Sequence, residues 1–299
     1  ARRPDHGQVA RPGSPPLTAG VDSGSLLPMQ DDVAIYNRER WQALVEAGVS
    51  FSRPWLELDA DTARERLDQE GRLGDVRGCD VLCLAGGGGQ QSAAFAMLGA
   101  RESVLDLCDL QLDRDREALA HHGLDACLDE ADMRDLSAFS DDSFDLVWHA
   151  HALAFIPDPR PVFDEVARVL RPGGRYRLYC TNPFTHGLWQ QTWSGEGYPL
   201  GLPYVDGAEL PDRIRDWGVV RPDGSKVRVD GPRQWRHALS TLVNELVARG
   251  FCIDGVWESL TGDADAEAGT WDHYKAIAPP WLTFWTTLRS RRPHAPGTG

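Results

Sequence analysis

A chain of 299 residues, 41% of them hydrophobic, can bury one sizeable α/β core or two small ones. Its 31 Lys and Arg face 45 Asp and Glu, a formal net charge of −14, so nucleic acid is excluded as an expected partner: its phosphates are repelled over most of the surface. No apolar window approaches a membrane span, no signal-type hydrophobic run opens the chain, and the six cysteines form no paired Cys-x-x-Cys elements, so the expected protein is cytoplasmic, without membrane association and without a metal.

In chain order, residues 1–27 are Pro/Gly/Ser-rich without periodicity and read as a flexible tail. Residues 28–74 read as an N-terminal helical cap. Tyr36, Trp41, Leu44 and Val45 share one face of a helix ending at Gly48, and ADTARERLDQEG forms a second helix running to Gly71. Tyr36 or Trp41 is placed to close over a ligand.

The stretch DVLCLAGGGGQQS follows, the first part of a core over residues 75–181. Val81 to Leu84 is a strand buried on both faces, Gly86 to Gly89 a tight turn that lets a ligand lie on the main chain, and Gln91 to Ala100 a helix whose N-terminal amides point back at that turn. Neither the Gly-x-Gly-x-x-Gly nor the Gly-Lys-Ser/Thr fingerprint is present, which disfavours a dehydrogenase and a P-loop protein.

A second strand, ESVLDLCD, ends in Asp106 about twenty residues beyond the glycines, where a carboxylate accepts both hydroxyl protons of a ribose. Asp132 and Met133 end a third strand and suit the edge and face of an adenine. Phe144 to Trp148 forms a fourth strand that leaves His149 and His151 at its C-terminal end, and Gly173 and Gly174 of RPGG stop the next helix before the strand RYRLYC. The alternation predicts a parallel, doubly wound sheet.

VLCLAGGGGQQS, VLDLCDLQL, EADMRDL and SFDLVWHAHALAFIPDPRPVFDEVARVLRPGGRYRL resemble, in order and spacing, the motifs of class I S-adenosylmethionine-dependent methyltransferases, most closely the small-molecule enzymes of ubiquinone/menaquinone biosynthesis. The resemblance implies a seven-stranded Rossmann-like sheet, with QWRHALSTLVNELVARGF supplying a late helix and strand and IAPPWLTFW the final antiparallel strand. It implies S-adenosylmethionine as cofactor, with Ala85, Gly86, Gly87, Gly89 and Gln90 under its methionine part and Asp106 on the ribose. Leu107 and Gln111 then border the adenine, Asp132 and Met133 take its edge and face, and His149 lies beside the sulfonium. The family usually begins its glycine motif with an acid, and here that position is Cys83; either another group anchors the ammonium or affinity for the cofactor is reduced.

Histidine is the side chain suited to deprotonating an acceptor near neutral pH, and His149, His151 and His237 are the candidate bases. Residues 182–234 form an insertion whose aromatics are expected to wall the acceptor pocket, giving Tyr36, His186, Trp189, Trp193, Tyr204 and His237 as candidate substrate contacts. Residues 235–289 complete the core, and 290–299 form a second tail. The expected reaction is methyl transfer to an oxygen, nitrogen or carbon of a small aromatic or apolar molecule. Two alternatives use the same fold: non-methylating chemistry on the cofactor, or binding without catalysis.

Overall fold

The computed structural model describes residues 31–186, 188, 192–258 and 260–289; the predicted tails and Trp189 lie outside them. Helix α1 (Asp32–Glu46) starts where the Asp31 carboxylate accepts the Val33 and Ala34 amides, and ends before Gly48 at φ +75°. Helix α2 (Ala60–Leu67) is capped by a reciprocal Asp59–Thr62 pair. It stops short of Gly71 because Asp68 leaves the helical region at φ −110°, ψ 44°, and its carboxylate accepts the Arg72 and Leu73 amides at 2.5 and 2.7 Å.

From there strands and helices alternate: β1 (Asp80–Leu84), α3 (Gln91–Met97), β2 (Arg101–Asp106), α4 (Asp109–His122), β3 (Cys127–Glu130), β4 (Phe144–His149), α5 (Arg160–Val169) and β5 (Leu170–Thr181). After β5 come a hairpin of β6 (Asp216–Val220) and β7 (Lys226–Asp230), then α6 (Leu239–Ala248), β8 (Phe251–Glu258), α7 (Trp271–Ile277) and β9 (Trp281–Leu288).

The main sheet has seven strands in the order β3-β2-β1-β4-β5-β9-β8, with β9 antiparallel to both neighbours. This is the seven-stranded Rossmann-like architecture expected. Two further boundaries near the cleft differ from expectation, beside the earlier ends of α2 and α3 and the extra residue His149 in β4. Helix α5 stops at Val169, before RPGG, because Leu170 already pairs with Phe144; the glycines bulge the strand and do not end the helix. Strand β3 ends at Glu130, so Asp132 and Met133 lie in the loop beyond it.

Residues of period two send β1 and β4 side chains to opposite faces. Leu82, Leu84, Val147 and Leu178 pack under α5 and α6, while Val81, Cys83, Trp148 and Trp285 pack under α2 and α3. Helix α5 buries Val162, Phe163 and Val166 completely, each side chain contributing about 1.5–3 kcal/mol of transfer free energy. A smaller cluster of Leu44, Ala47, Val49 and Val219 fastens the hairpin to α1, so the ends of the parallel strands are roofed by segments far apart in sequence.

Candidate active site

A cleft of about 1450 Å³ opens at the C-terminal ends of the parallel strands. One side of it is local in sequence. Ala85 turns the chain out of β1 at φ +48°, and Gly87 brings its backbone against β2 and α4: its amide donates to Asp106 Oδ2 at 3.0 Å, and a Cβ there would stand 2.6 Å from Gln111 Cβ and 2.9 Å from that carboxylate oxygen. Asp106 also accepts the Cys108 amide, and burial raises its carboxyl to about 6 despite those hydrogen bonds. Gln111 Oε1, at the same wall, is buried with no partner among the described residues. Leu107, Asp132, Met133 and Gln90 also line this side.

These residues meet the requirements of an adenosyl ligand. A ribose needs a carboxylate at close range, which Asp106 supplies; a purine needs apolar faces, which Leu107 and Met133 supply; and Gln111 Oε1 offers an acceptor that the protein itself leaves unused. Asp132 is held by Arg134, which also pairs with Asp31 ahead of α1.

Gly86 and Gly89 do not line the cleft. A Cβ on Gly86 would meet Cys83 at 2.9 Å, and one on Gly89 would meet Pro54 and the Arg114 carbonyl. The Gly88 and Gly89 amides donate to Asp115 of α4 at 3.1 and 3.0 Å, and the Ser92 hydroxyl adds a third bond at 2.5 Å. The last two glycines thus admit protein: the strap Ser50–Trp55 lies across them, with the Trp55 amide on the Gly89 carbonyl at 2.8 Å and Gln90 Nε2 donating to the Ser50 and Arg53 carbonyls. Asp115 was missed from sequence, although it left a signal. It occupies an inward position of α4 together with Leu112, Ala118 and Leu119, an acid inside an apolar stripe.

The other side of the cleft is assembled from distant segments. Trp41 of α1, Phe51 of the strap, Phe155 after β4 and Trp217 of β6 form one aromatic roof, with Trp41 centred 5.7, 5.2 and 6.1 Å from the other three. The buried Asn37 joins these pieces, donating to the Phe155 carbonyl and accepting the Arg233 amide. Facing the roof, His151 lies among Phe155, Tyr179 and Trp281, with Nε2 2.8 Å from Thr181 Oγ1. Burial lowers its pKa to about 4, so the imidazole is neutral at pH 7. His186 lines the same region, bonded to Gln234 Oε1 at 3.0 Å and lowered to about 3, again by burial.

The three histidines named as bases separate here. His149 belongs to β4 itself and is wholly enclosed, its Nδ1 2.7 Å from the Tyr176 hydroxyl in the core, with burial lowering it to about 3; it neither shares a face with His151 nor reaches the cleft. His237 is turned inward, its Nε2 donating to the Leu153 carbonyl at 2.9 Å. Three of the proposed substrate contacts also lie elsewhere. Tyr36 has the Arg40 and Arg215 guanidiniums against its ring, Trp193 packs on Tyr198 and His273, and Tyr204 stacks on Phe184 at the surface. The insertion does wall the cleft, through Trp217, Gln234 and His186.

Residues 82–178 match the family model of the methyltransferase domain. The chain is 31% identical over 190 residues to the uncharacterized methyltransferase YbaJ of Bacillus subtilis (strain 168), covering 62% of this chain and 71% of that protein. It is 43% identical over 100 residues to the demethylmenaquinone methyltransferase of Clavibacter sepedonicus, a match spanning 33% of this chain and 40% of that enzyme. Among solved structures, the S-adenosylmethionine-dependent methyltransferase of Mesorhizobium loti shares the fold with a TM-score of 0.52 at 22% identity, over 76% of this chain and 99% of that one.

Proposed function

Because the chain belongs to the class I S-adenosylmethionine-dependent methyltransferases, we propose that it methylates a small, neutral, largely planar acceptor through an oxygen or nitrogen held beside His151. S-adenosylmethionine supplies an activated methyl group. Asp106 grips the ribose hydroxyls, Gln111 Oε1 accepts an N–H or O–H of the adenosine, and Leu107 and Met133 enclose the base.

The acceptor reading rests chiefly on one observation: the chamber around His151 is aromatic and neutral. Its polar groups are His151, Tyr179, Thr181, Thr185, His186, Gln234 and Tyr274, and the Arg177 guanidinium, 5.5 Å from the centre of the Tyr179 ring, is neutralised by Glu70 at 3.0 Å. A charged acceptor would lose its hydration there, and the nearby Arg177 guanidinium is already held by Glu70. The rings of the roof and of Trp281 offer faces on which a planar molecule stacks, and they exclude water from the transfer.

Holding the nucleophile in line is the protein's main task, and alignment alone supplies roughly 7–11 kcal/mol. His151, far below its usual pKa, is a weak base; it accepts a hydrogen bond from the acceptor O–H or N–H, and takes that proton only as the new bond to carbon forms and the nucleophile becomes acidic. The Thr181 hydroxyl fixes the ring's orientation meanwhile. The test is release of S-adenosylhomocysteine from the purified chain with panels of neutral phenols, heteroaromatic amines and anionic acceptors. Turnover confined to anionic acceptors would refute the neutral-chamber reading, and His151→Phe is expected to lower kcat at least tenfold on a neutral acceptor while leaving S-adenosylhomocysteine affinity unchanged.

A further inference from the structure

Most hydrogen-bonding groups of the acceptor chamber are spent within the protein. Thr181 is bonded to His151, the Thr185 hydroxyl donates to the Asn182 and Pro279 carbonyls at 3.3 and 3.1 Å, and the Tyr274 hydroxyl donates to the Thr185 carbonyl at 3.0 Å. Besides Tyr179, whose ring lies beside the Arg177 guanidinium, two side chains of the wall keep unused capacity among the described residues: His186 and Gln234. We propose that this pair reads a second polar feature of the methyl acceptor, an N–H and a carbonyl carried on one planar frame, as in a lactam. The inference rests on the neutral-chamber reading above and narrows it to a substrate class.

The chemistry of the pair follows from its one internal bond. His186 Nε2 stands 3.0 Å from Gln234 Oε1. An amide oxygen can only accept, so Nε2 carries the proton of the neutral ring and Nδ1 keeps its lone pair. Burial keeps that imidazole neutral at pH 7. Gln234, its oxygen engaged, is left with two amide N–H donors, and among the described residues neither these nor Nδ1 has a partner. Together they offer one acceptor and one donor, the complement of a lactam's N–H and C=O.

Both residues are held by their main chain. The His186 amide donates to the Asn182 carbonyl at 2.8 Å, and its carbonyl accepts the Arg236 guanidinium. The Gln234 carbonyl accepts the Leu210 amide at 2.8 Å, while the flanking Arg233 and Trp235 amides are bonded to Asn37 Oδ1 and the Ala154 carbonyl at 2.8 and 2.7 Å. Arg236 therefore fixes the backbone of the histidine whose ring Gln234 orients. Groups fixed in advance lose little freedom when a ligand arrives. A buried donor and acceptor also discriminate strongly, because an analogue that lacks the matching groups leaves them unpaired.

The test is isothermal titration calorimetry of the full chain, saturated with S-adenosylhomocysteine, against neutral bicyclic probes of one shape. Hydroxyisoquinolinones carry the lactam, their N-methyl derivatives keep only its carbonyl, and naphthols carry neither. The parent chain is expected to bind a hydroxyisoquinolinone about tenfold more tightly than its N-methyl derivative and about 100-fold more tightly than a naphthol. Gln234→Leu removes the donor; Gln234→Glu, when ionised, still accepts from His186 Nε2 but cannot donate to a carbonyl. Both are expected to bring the lactam to within about threefold of the naphthol, whereas a pair that only braced the loop would be rescued by the glutamate. Unchanged S-adenosylhomocysteine affinity shows that the variants are folded. A parent chain that binds isoquinolinones and naphthols alike, or a lactam preference that survives Gln234→Glu, overturns the proposal and leaves the neutral-chamber reading standing. A parent chain that binds none of the probes overturns both.

Discussion

The two sides of the cleft are built on different principles. The adenosyl side comes from β1, β2 and the turns after them, within Ala85–Met133, so neighbours in space are near neighbours in sequence. The acceptor side joins Trp41, Phe51, Phe155 and Trp217, and the buried Asn37 that holds it together bonds to residues 118 and 196 positions away. A site made from consecutive strand-turn-helix units carries its chemistry in a motif, whereas one made by closing long loops can vary its lining without disturbing the donor.

The sharpest way to break that contrast is to strike the support of the glycine turn. Asp115→Ala removes the acceptor of the Gly88 and Gly89 amides and of the Ser92 hydroxyl, all inside the protein. Stranding buried donors costs about 1–3 kcal/mol each, so a loss of about 3–5 kcal/mol is expected in urea unfolding, with donor affinity falling in whatever stays folded. A loss below 1 kcal/mol would mean that the strap, through its Trp55–Gly89 bond, suffices to hold the turn.

Asp115 also marks the limit of what was legible. The doubly wound alternation, the glycine turn, Asp106, Asp132 and Met133 followed from periodicity and spacing, because each is set by a hydrophobic pattern and a turn a few residues long, whereas the seven-stranded sheet came only with the family resemblance. His149 misled, since a histidine at the end of a strand is positioned for a cleft unless one more residue of the ladder is formed, and here it pairs with Leu84 and Leu178. The insertion was recognised as a wall, but Trp193 and Tyr204 were favoured over Trp217. Which of several tryptophans turns inward is settled by the hairpin's packing on α1, a contact between segments about 170 residues apart to which no local pattern refers.

The donor side is next. Asp106→Ala is expected to weaken S-adenosylhomocysteine binding about 100-fold, near 3 kcal/mol, since both ribose hydroxyls lose a charged acceptor. An equal loss of affinity for a methyl acceptor, measured separately, would show that the two sides are not independent. On the acceptor side Trp217→Ala removes the ring that packs against Trp41 and Phe51, and about 2 kcal/mol of stability is expected to go with it. Donor affinity is expected to stay within twofold. A tenfold fall would mean that the roof presses on the donor.

The smallest effect is the pH response of the donor side. Burial lifts the Asp106 carboxyl from 3.8 to about 6, and the ribose is accepted by the ionised form. The ionised fraction therefore drops from about nine-tenths at pH 7 to about one-tenth at pH 5, a roughly tenfold loss of S-adenosylhomocysteine affinity, about 1.4 kcal/mol. The effect on stability has the opposite sign. A folded pKa above the unfolded one makes the native chain the better proton acceptor, so this group's contribution is fully present below about pH 4 and is lost as pH rises through about 6. Acid thus stabilises the empty site while weakening its ligand, a pairing that a nonspecific acid effect would not produce. Asp106→Asn is expected to bind weakly with no step near pH 6. A step that survives that substitution would belong to Asp115, whose carboxyl burial raises to about 7, and would mean that proton uptake loosens the turn and not the ribose contact.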